Sequence, residues 1–265
     1  MRKRETILVF DSGLGGLTVY RVLAAARPSA DFLYVADDAA FPYGGIDEAV
    51  LVARVGDLMG ELIATQSPDV IVVACSTAST IVLPALRQKF PVPFVGTVPA
   101  IKPACASSLT RRVSVLGTAA TVAREYTRAL IRDHAQDCRV TLVGSKSLAG
   151  YAEAELAGSP ASDAQISAEI APCFRDDGKR TDTVVLACTH YPLLLDRLQQ
   201  VAPWPVSYLD PAVAIARRVV DLLGPPTSPI ERGTTGALFT SGRLPEAVLA
   251  RFGIRSGAPA PTNAG

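Results

Sequence analysis

Two cysteines of this chain are set out by their surroundings. Asp69 opens the run DVIVVACST and Asp182 opens DTVVLACTH. In each run an Asp starts an apolar stretch and Ala-Cys follows at the same offset. Hydroxyl residues come next: Ser76 and Thr77 after Cys75, Thr189 and then His190 after Cys188. A lone buried Cys usually behaves as a small apolar residue. Two at matching strand ends, each beside hydroxyls and each expected to open a helix, read as functional. A thiol has a reference pKa of about 8.5, and a helix N-terminus or a nearby positive group lowers it. One ionised and one protonated thiol can take a proton from one face of a carbon and return one to the other. The two then exchange roles, so a stereocentre is inverted with no pyridoxal phosphate or metal.

The other thiols fit no framework. Cys105, Cys138 and Cys173 make the total odd, the spacings are wide and no Cys-x-x-Cys occurs. With only His134 and His190 besides, neither a disulfide scaffold nor a metal site is expected. No cofactor is expected.

Ligands of an open parallel sheet bind beyond the carboxyl ends of the strands, so the thiols need strands behind them. Apolar, β-branched runs predict strands at Thr6–Phe10, Phe32–Ala36, Val70–Ala74, Val92–Val95, Val113–Leu116, Val140–Val143, Val184–Ala187 and Val206–Leu209. Helical spacing is longest over Asp47–Thr65, with Val50, Val55, Leu58, Leu62 and Ile63 along one stripe. This alternation predicts an α/β fold with parallel sheets covered by helices. Val9-Phe10-Asp11-Ser12 and Val115-Leu116-Gly117-Thr118 form a second matching pair. They lie 106 positions apart, and the two cysteines 113. Similar offsets at two places suggest two related lobes.

Further candidates lie at other strand ends. Gly13-Leu14-Gly15-Gly16 after the first strand has a dinucleotide-loop flavour, but Thr18 stands where a third glycine belongs, and Asp37 and Asp38 come late for a ribose ligand. These glycines suit backbone amides approaching an anion at a helix start, or a tight turn. Pro42-Tyr43-Gly44 reads as a loop whose Tyr43 can donate to a carboxylate. Thr118 and Thr121 can donate to a substrate or cap the next helix. Glu153 on its own reads as a solvated charge on an amphipathic stretch. The GPPTSP stretch from Gly224 to Pro229 reads as a loop, and the small, polar, Pro/Gly-rich tail 256–265 as disordered.

Composition excludes several function classes. The 26 basic and 25 acidic residues leave a net charge of +1, which gives no footprint for nucleic acid or an anionic membrane. The basic start is followed by an apolar run of only Ile7 to Phe10 before Asp11, too short for a secretory signal. A cytoplasmic protein is expected.

Taken in order, FDSGLGGLTV, FPYG, ACSTAS, LGTAATV, LAGYAE, ACTHYP and FTSG closely resemble bacterial glutamate racemase, of the aspartate/glutamate racemase family, over nearly the whole chain. The resemblance implies two pseudo-symmetric lobes, each a mainly parallel sheet flanked by helices, with the active site in the cleft between them. It implies a first lobe over 1–98, a second over 99–209, and a segment 210–255 returning to the first. It implies that Cys75 takes the proton from D-glutamate and Cys188 from L-glutamate, assisted by Asp11 and His190. Ser12, Pro42, Tyr43, Gly44, Ser76, Thr77, Thr118, Thr121 and Thr189 match residues lining the substrate. Glu153 matches an acid supporting His190 or the ammonium. The activity implied is glutamate racemisation, which supplies D-glutamate for peptidoglycan. Glutamate is then the expected ligand, and a homodimer is left open. One departure stands out: the family usually has Asn where this chain has Ser76. The rival readings are a two-thiol racemase of another acidic amino acid, and a catalytically weakened homologue with a binding or regulatory role.

Overall fold

The computed structural model describes residues 4–135, 137–225 and 232–254. The chain forms two compact units, one from the residues up to Thr97 together with those from Ala212 on, the other from Val98 to Pro211. The first unit begins β1 (Thr6–Asp11), α1 (Leu17–Ala26), β2 (Asp31–Ala36), α2 (Glu48–Gln66), β3 (Val70–Val73), α3 (Ser76–Ile81), α4 (Leu83–Lys89), β4 (Phe94–Gly96). The second holds α5 (Ile101–Ser107), β5 (Arg112–Thr118), α6 (Ala119–Ala123), α7 (Glu125–His134), β6 (Arg139–Ser145), α8 (Leu148–Leu156), α9 (Asp163–Ile170), β7 (Thr183–Ala187), α10 (Leu195–Val201) and β8 (Ser207–Leu209). The chain then adds α11 (Ala212–Leu223), β9 (Thr235–Phe239) and α12 (Glu246–Arg251) to the first unit.

Every pairing between these strands is parallel. The sheets run β4-β3-β1-β2-β9 and β6-β5-β7-β8. With β5 to β8 set against β1 to β4, both sheets read second, first, third, fourth, and β9 is an addition beyond β2. The register repeats too. Asp69 N–H donates to the Thr6 carbonyl and Asp182 N–H to the Arg112 carbonyl, the same 106- and 113-residue offsets the sequence shows. Asp69 also clamps the start of β1, and Asp182 the loop that leads into β5. Asp69 accepts from Thr6 N–H at 2.7 Å, and Asp182 from Leu109 N–H at 2.7 Å and Thr110 N–H at 2.8 Å.

Strands β1 and β3 are buried along their whole length, which is why they read as unbroken apolar runs rather than alternating ones. All eight expected strands form, with ends shifted by up to two residues. The ninth, β9, was not expected. Its TGALF is short and glycine-containing and lacks a β-branched run, so its pairing with β2, not propensity, makes it a strand. Helix α2 starts where expected, with Asp47 capping through the Ala49 and Val50 N–H groups. Its buried face differs from the expected stripe: Leu51, Val55, Met59 and Leu62 are buried, while Val50 is 58% exposed. Spacings of four, four and three keep the observed set on one face. The expected tail 256–265, and residues 226–229 of the expected loop, lie outside the described residues.

Candidate active site

In the first unit the end of β3 leads through Ala74 to Cys75, which stands at the N-cap of α3. Ser79 and Thr97 hold this corner. The Ser79 hydroxyl donates to the Val73 carbonyl at 2.8 Å and the Thr97 hydroxyl to the Ala74 carbonyl at 2.7 Å. Cys75 Sγ lies 3.5 Å from Ser12 Oγ, just past the end of β1. Asp11, fully buried, accepts from Gly16 N–H at 2.7 Å. The anion that the glycine turn approaches is thus the chain's own carboxylate. A Cβ at Gly16 would come within 2.7 Å of the Asp11 Cβ, so only glycine fits there. Ser76 and Thr77 are buried on the first turn of α3. Among the described residues Ser76 Oγ has no hydrogen-bond partner.

Pro42, Tyr43 and Gly44 lie past β2, where Tyr43–Gly45 form a short 3₁₀ turn rather than an open loop. Tyr43 is buried in one apolar cluster with Phe10 and Cys75. Its hydroxyl does donate to a carboxylate, but to that of Asp37, at 2.7 Å. Burial first, and then that bond, push the phenol far up, so it stays a protonated donor. Asp37 also takes Arg54 Nε and Nη2, each at 2.6 Å, and the Thr240 hydroxyl at 2.7 Å. Burial would raise the Asp37 carboxyl, but these hydrogen bonds outweigh it and hold it below its ordinary value. Sequence reasoning weighs Asp37 only as a ribose ligand and misses Arg54 and Thr240. The one signal was Asp37's place directly after a strand.

In the second unit Cys188 follows the end of β7, with Thr189 and His190 also buried. No α-helix opens at this thiol, contrary to expectation. A turn and a 3₁₀ segment, Tyr191–Leu194, intervene before α10, and Pro192 near the start of that segment has no N–H for a helical ladder. Cys188 Sγ lies 3.8 Å from His190 Nδ1. His190 Nε2 lies 2.8 Å from Glu153 Oε1, on α8. Glu153, one quarter exposed, is therefore not the solvated charge its isolated sequence context suggested. With Nε2–H donating to the carboxylate, Nδ1 turns its lone pair toward the thiol. This carboxylate–imidazole–thiol chain can activate a proton-transferring sulfur. Thr118 caps α6 by accepting from Thr121 N–H at 3.1 Å, and the two hydroxyls lie 2.9 Å apart.

The remaining thiols differ. Burial pushes Cys173 up to about 12, and burial with Cys138 beside it pushes Cys105 up to about 12. Both stay protonated near neutral pH. Among the described residues no three His, Cys, Asp or Glu side chains group as a metal site. No helix among them is long and apolar enough to cross a membrane.

Known proteins resemble this chain in sequence and fold. The model of the Asp/Glu/hydantoin racemase family matches residues 15–219. The glutamate racemase of Brucella canis is 52% identical over 257 residues, 94% of this chain and 92% of that protein. That of Brucella anthropi is 57% identical over 221 residues, 83% and 80% of the two chains. Among solved structures, Escherichia coli glutamate racemase, in complex with L-glutamate and the activator UDP-MurNAc-Ala, has a TM-score of 0.85 at 39% identity, covering 95% of this chain and 96% of that one. Matched by the family model over most of its length and by relatives more than half identical to it, the chain belongs to the Asp/Glu/hydantoin racemase family and is an isomerase of the racemase kind.

Proposed function

We propose that this protein is a cofactor-independent glutamate racemase that interconverts L- and D-glutamate in the cytoplasm and supplies D-glutamate for peptidoglycan. The observation that carries the reading is the repeated strand end, which bears a thiol in each of two units of equal strand order. The relatives named above supply the substrate. In the reaction, Cys75 as thiolate takes the α-proton of D-glutamate while Cys188 as thiol delivers a proton to the opposite face, giving L-glutamate. The reverse reaction starts with Cys188 as thiolate. Asp11 and Ser12 serve the first thiol. His190, oriented by Glu153, serves the second. Ser76, Thr77, Thr118, Thr121, Thr189 and the Pro42–Gly44 stretch hold the substrate.

The test is racemisation in deuterated water by protein that has been chelated and dialysed. Newly formed enantiomer should carry deuterium at Cα, while the remaining substrate stays largely unlabelled early on. The thiol that removes a proton is not the thiol that returns one, and the latter carries hydrogen from solvent. Product that keeps the substrate's own α-hydrogen, or activity that returns only with pyridoxal phosphate or zinc, would overturn the reading.

A further inference from the structure

Asp37 is fully buried, and its carboxylate is saturated. An ionised carboxylate offers about four lone-pair sites. Here Oδ1 takes Arg54 Nη2 and the Thr240 hydroxyl, while Oδ2 takes Arg54 Nε and the Tyr43 hydroxyl. The donors come from α2, from the residue after β9 and from the turn after β2. The Asp37 N–H in turn donates to the Asp11 carbonyl at 2.9 Å, and Thr240 N–H to the Ala36 carbonyl at 3.0 Å. The carboxylate thus ties the end of β2 to α2, to the turn after β2 and to the residue after β9, while the backbone N–H of the same residue ties it to the end of β1. The Tyr43–Gly45 turn packs on α3, the helix that starts beside Cys75, and the Tyr43 ring shares its cluster with Cys75.

We infer that Asp37 is a positioning residue for the Cys75 half of the reaction, holding Tyr43 and its turn in fixed register against the thiol. A buried carboxylate costs free energy unless fully paired. This one stands at the ligand-binding ends of the strands. At the opposite ends, Asp31, which accepts from Thr234 N–H at 2.7 Å, and Asp69 are more exposed. A carboxamide cannot replace it. Asn accepts on one atom only and would turn an NH₂ group toward two donors, so Tyr43 or Thr240 would lose its acceptor. Misplacing a group by an ångström near a reacting centre costs orders of magnitude in rate.

This inference rests on the proposed racemase reading, so wild-type racemisation of glutamate is measured first; its absence would sink that reading. With an active wild type, Asp37→Asn should lower kcat by about tenfold or more. A general loosening of the fold would slow both proton transfers alike. A defect confined to the Cys75 side should raise the primary isotope effect with D-[2-²H]glutamate, whose proton Cys75 takes, and lower it with L-[2-²H]glutamate. Tyr43→Phe removes one hydrogen bond and leaves the carboxylate on Arg54 and Thr240, so it should give the same skew at smaller size. The double variant should be little worse than Asp37→Asn alone. A folded Asp37→Asn enzyme with kcat within about twofold of wild type, or isotope effects that move together for both enantiomers, would overturn the inference. If Asp37→Asn does not fold, Tyr43→Phe decides alone, and unskewed isotope effects refute it.

Discussion

Cys75 and Cys188 end equivalent strands, yet their neighbours differ. Cys75 faces the Ser12 hydroxyl and sits among apolar side chains including Tyr43 and Phe10. Cys188 faces an imidazole that is itself held by a carboxylate. The scaffold behind them repeats: the strand order, the register offsets, and an aspartate clamping the neighbouring strand or the loop that leads into it. What the two units share is therefore what places a sulfur. What they do not share is the polar group beside it. In the proposed reaction, with two proton transfers of opposite sense, the units can diverge in this way, because each thiol would need its own route to the ionised and the protonated state.

Removing the sulfurs tests the shared part and carries the largest expected effect. Cys75→Ala and Cys188→Ala should each lower racemisation by about 10²- to 10⁴-fold, the usual contribution of a positioned acid or base. The residual chemistry should be asymmetric. Cys188→Ala should still exchange the α-hydrogen of D-glutamate with deuterated water, and Cys75→Ala that of L-glutamate, both weakly. Proton NMR of each enantiomer reads this directly. Near-normal racemisation by either variant, or equal exchange of both enantiomers by both, would break the comparison.

The aspartate clamps should differ next. Asp182 accepts from Ser108, Leu109, Thr110 and Thr183. Burial would raise its carboxyl, but those hydrogen bonds outweigh it and hold it below the ordinary value. A carboxylate whose folded pKa is depressed contributes stability that is present above its unfolded pKa, about 3.9, and is lost as pH falls through the folded value. Asp182→Asn should therefore destabilise the protein by about 1–2 kcal/mol at neutral pH, discounted for partial exposure. Asp69→Asn should cost less, under about 1 kcal/mol. The gap between wild type and Asp182→Asn should close below about pH 3.9. Melting curves at pH 7 and pH 3 measure both points, and equal losses for the two substitutions would refute the ranking.

Legibility followed the same division. The buried strands could be read because residues such as Ile71, Val72 and Val73 are apolar on both faces. The thiol ends could be read because Asp and Ala-Cys recur at fixed offsets. The edge strand β9 could not, since Thr235–Phe239 becomes a strand only through β2. The α2 stripe took Val50 for Leu51 and Leu58 for Met59, because periodicity alone does not separate adjacent apolar residues. The Asp37 network was illegible for another reason. Its four donors come from Arg54, Tyr43 and Thr240, which stand 17, 6 and 203 positions from it. No spacing rule links a carboxylate to partners that only the sheet brings together. Glu153 is similar, lying 37 positions from His190; only the family resemblance marked it.

The smallest expected effect concerns the residue after each thiol. Thr189 follows Cys188. After Cys75 this chain has Ser76, where the family it resembles usually has Asn. Ser76 is buried on the first turn of α3, and its hydroxyl has no hydrogen-bond partner among the described residues. A buried polar atom left unpaired is costly, so a bound substrate is the natural partner in the reading above. Serine reaches less far than Asn and carries one hydroxyl, whereas an Asn amide donates and accepts at once. Ser76→Asn should then lower KM for glutamate by about 2- to 12-fold, the equivalent of one hydrogen bond. It should leave kcat nearly unchanged, because a contact made equally in ground and transition states alters binding alone. The change should appear with both enantiomers, since the contact holds the substrate rather than the migrating proton. Steady-state kinetics from L- and from D-glutamate measure it. An unchanged KM in both directions would show that position 76 does not touch the substrate. A KM that rises together with a lower melting temperature would show that the pocket is already closed around serine, and that this chain has rebuilt the corner beside Cys75 while leaving the thiol in place.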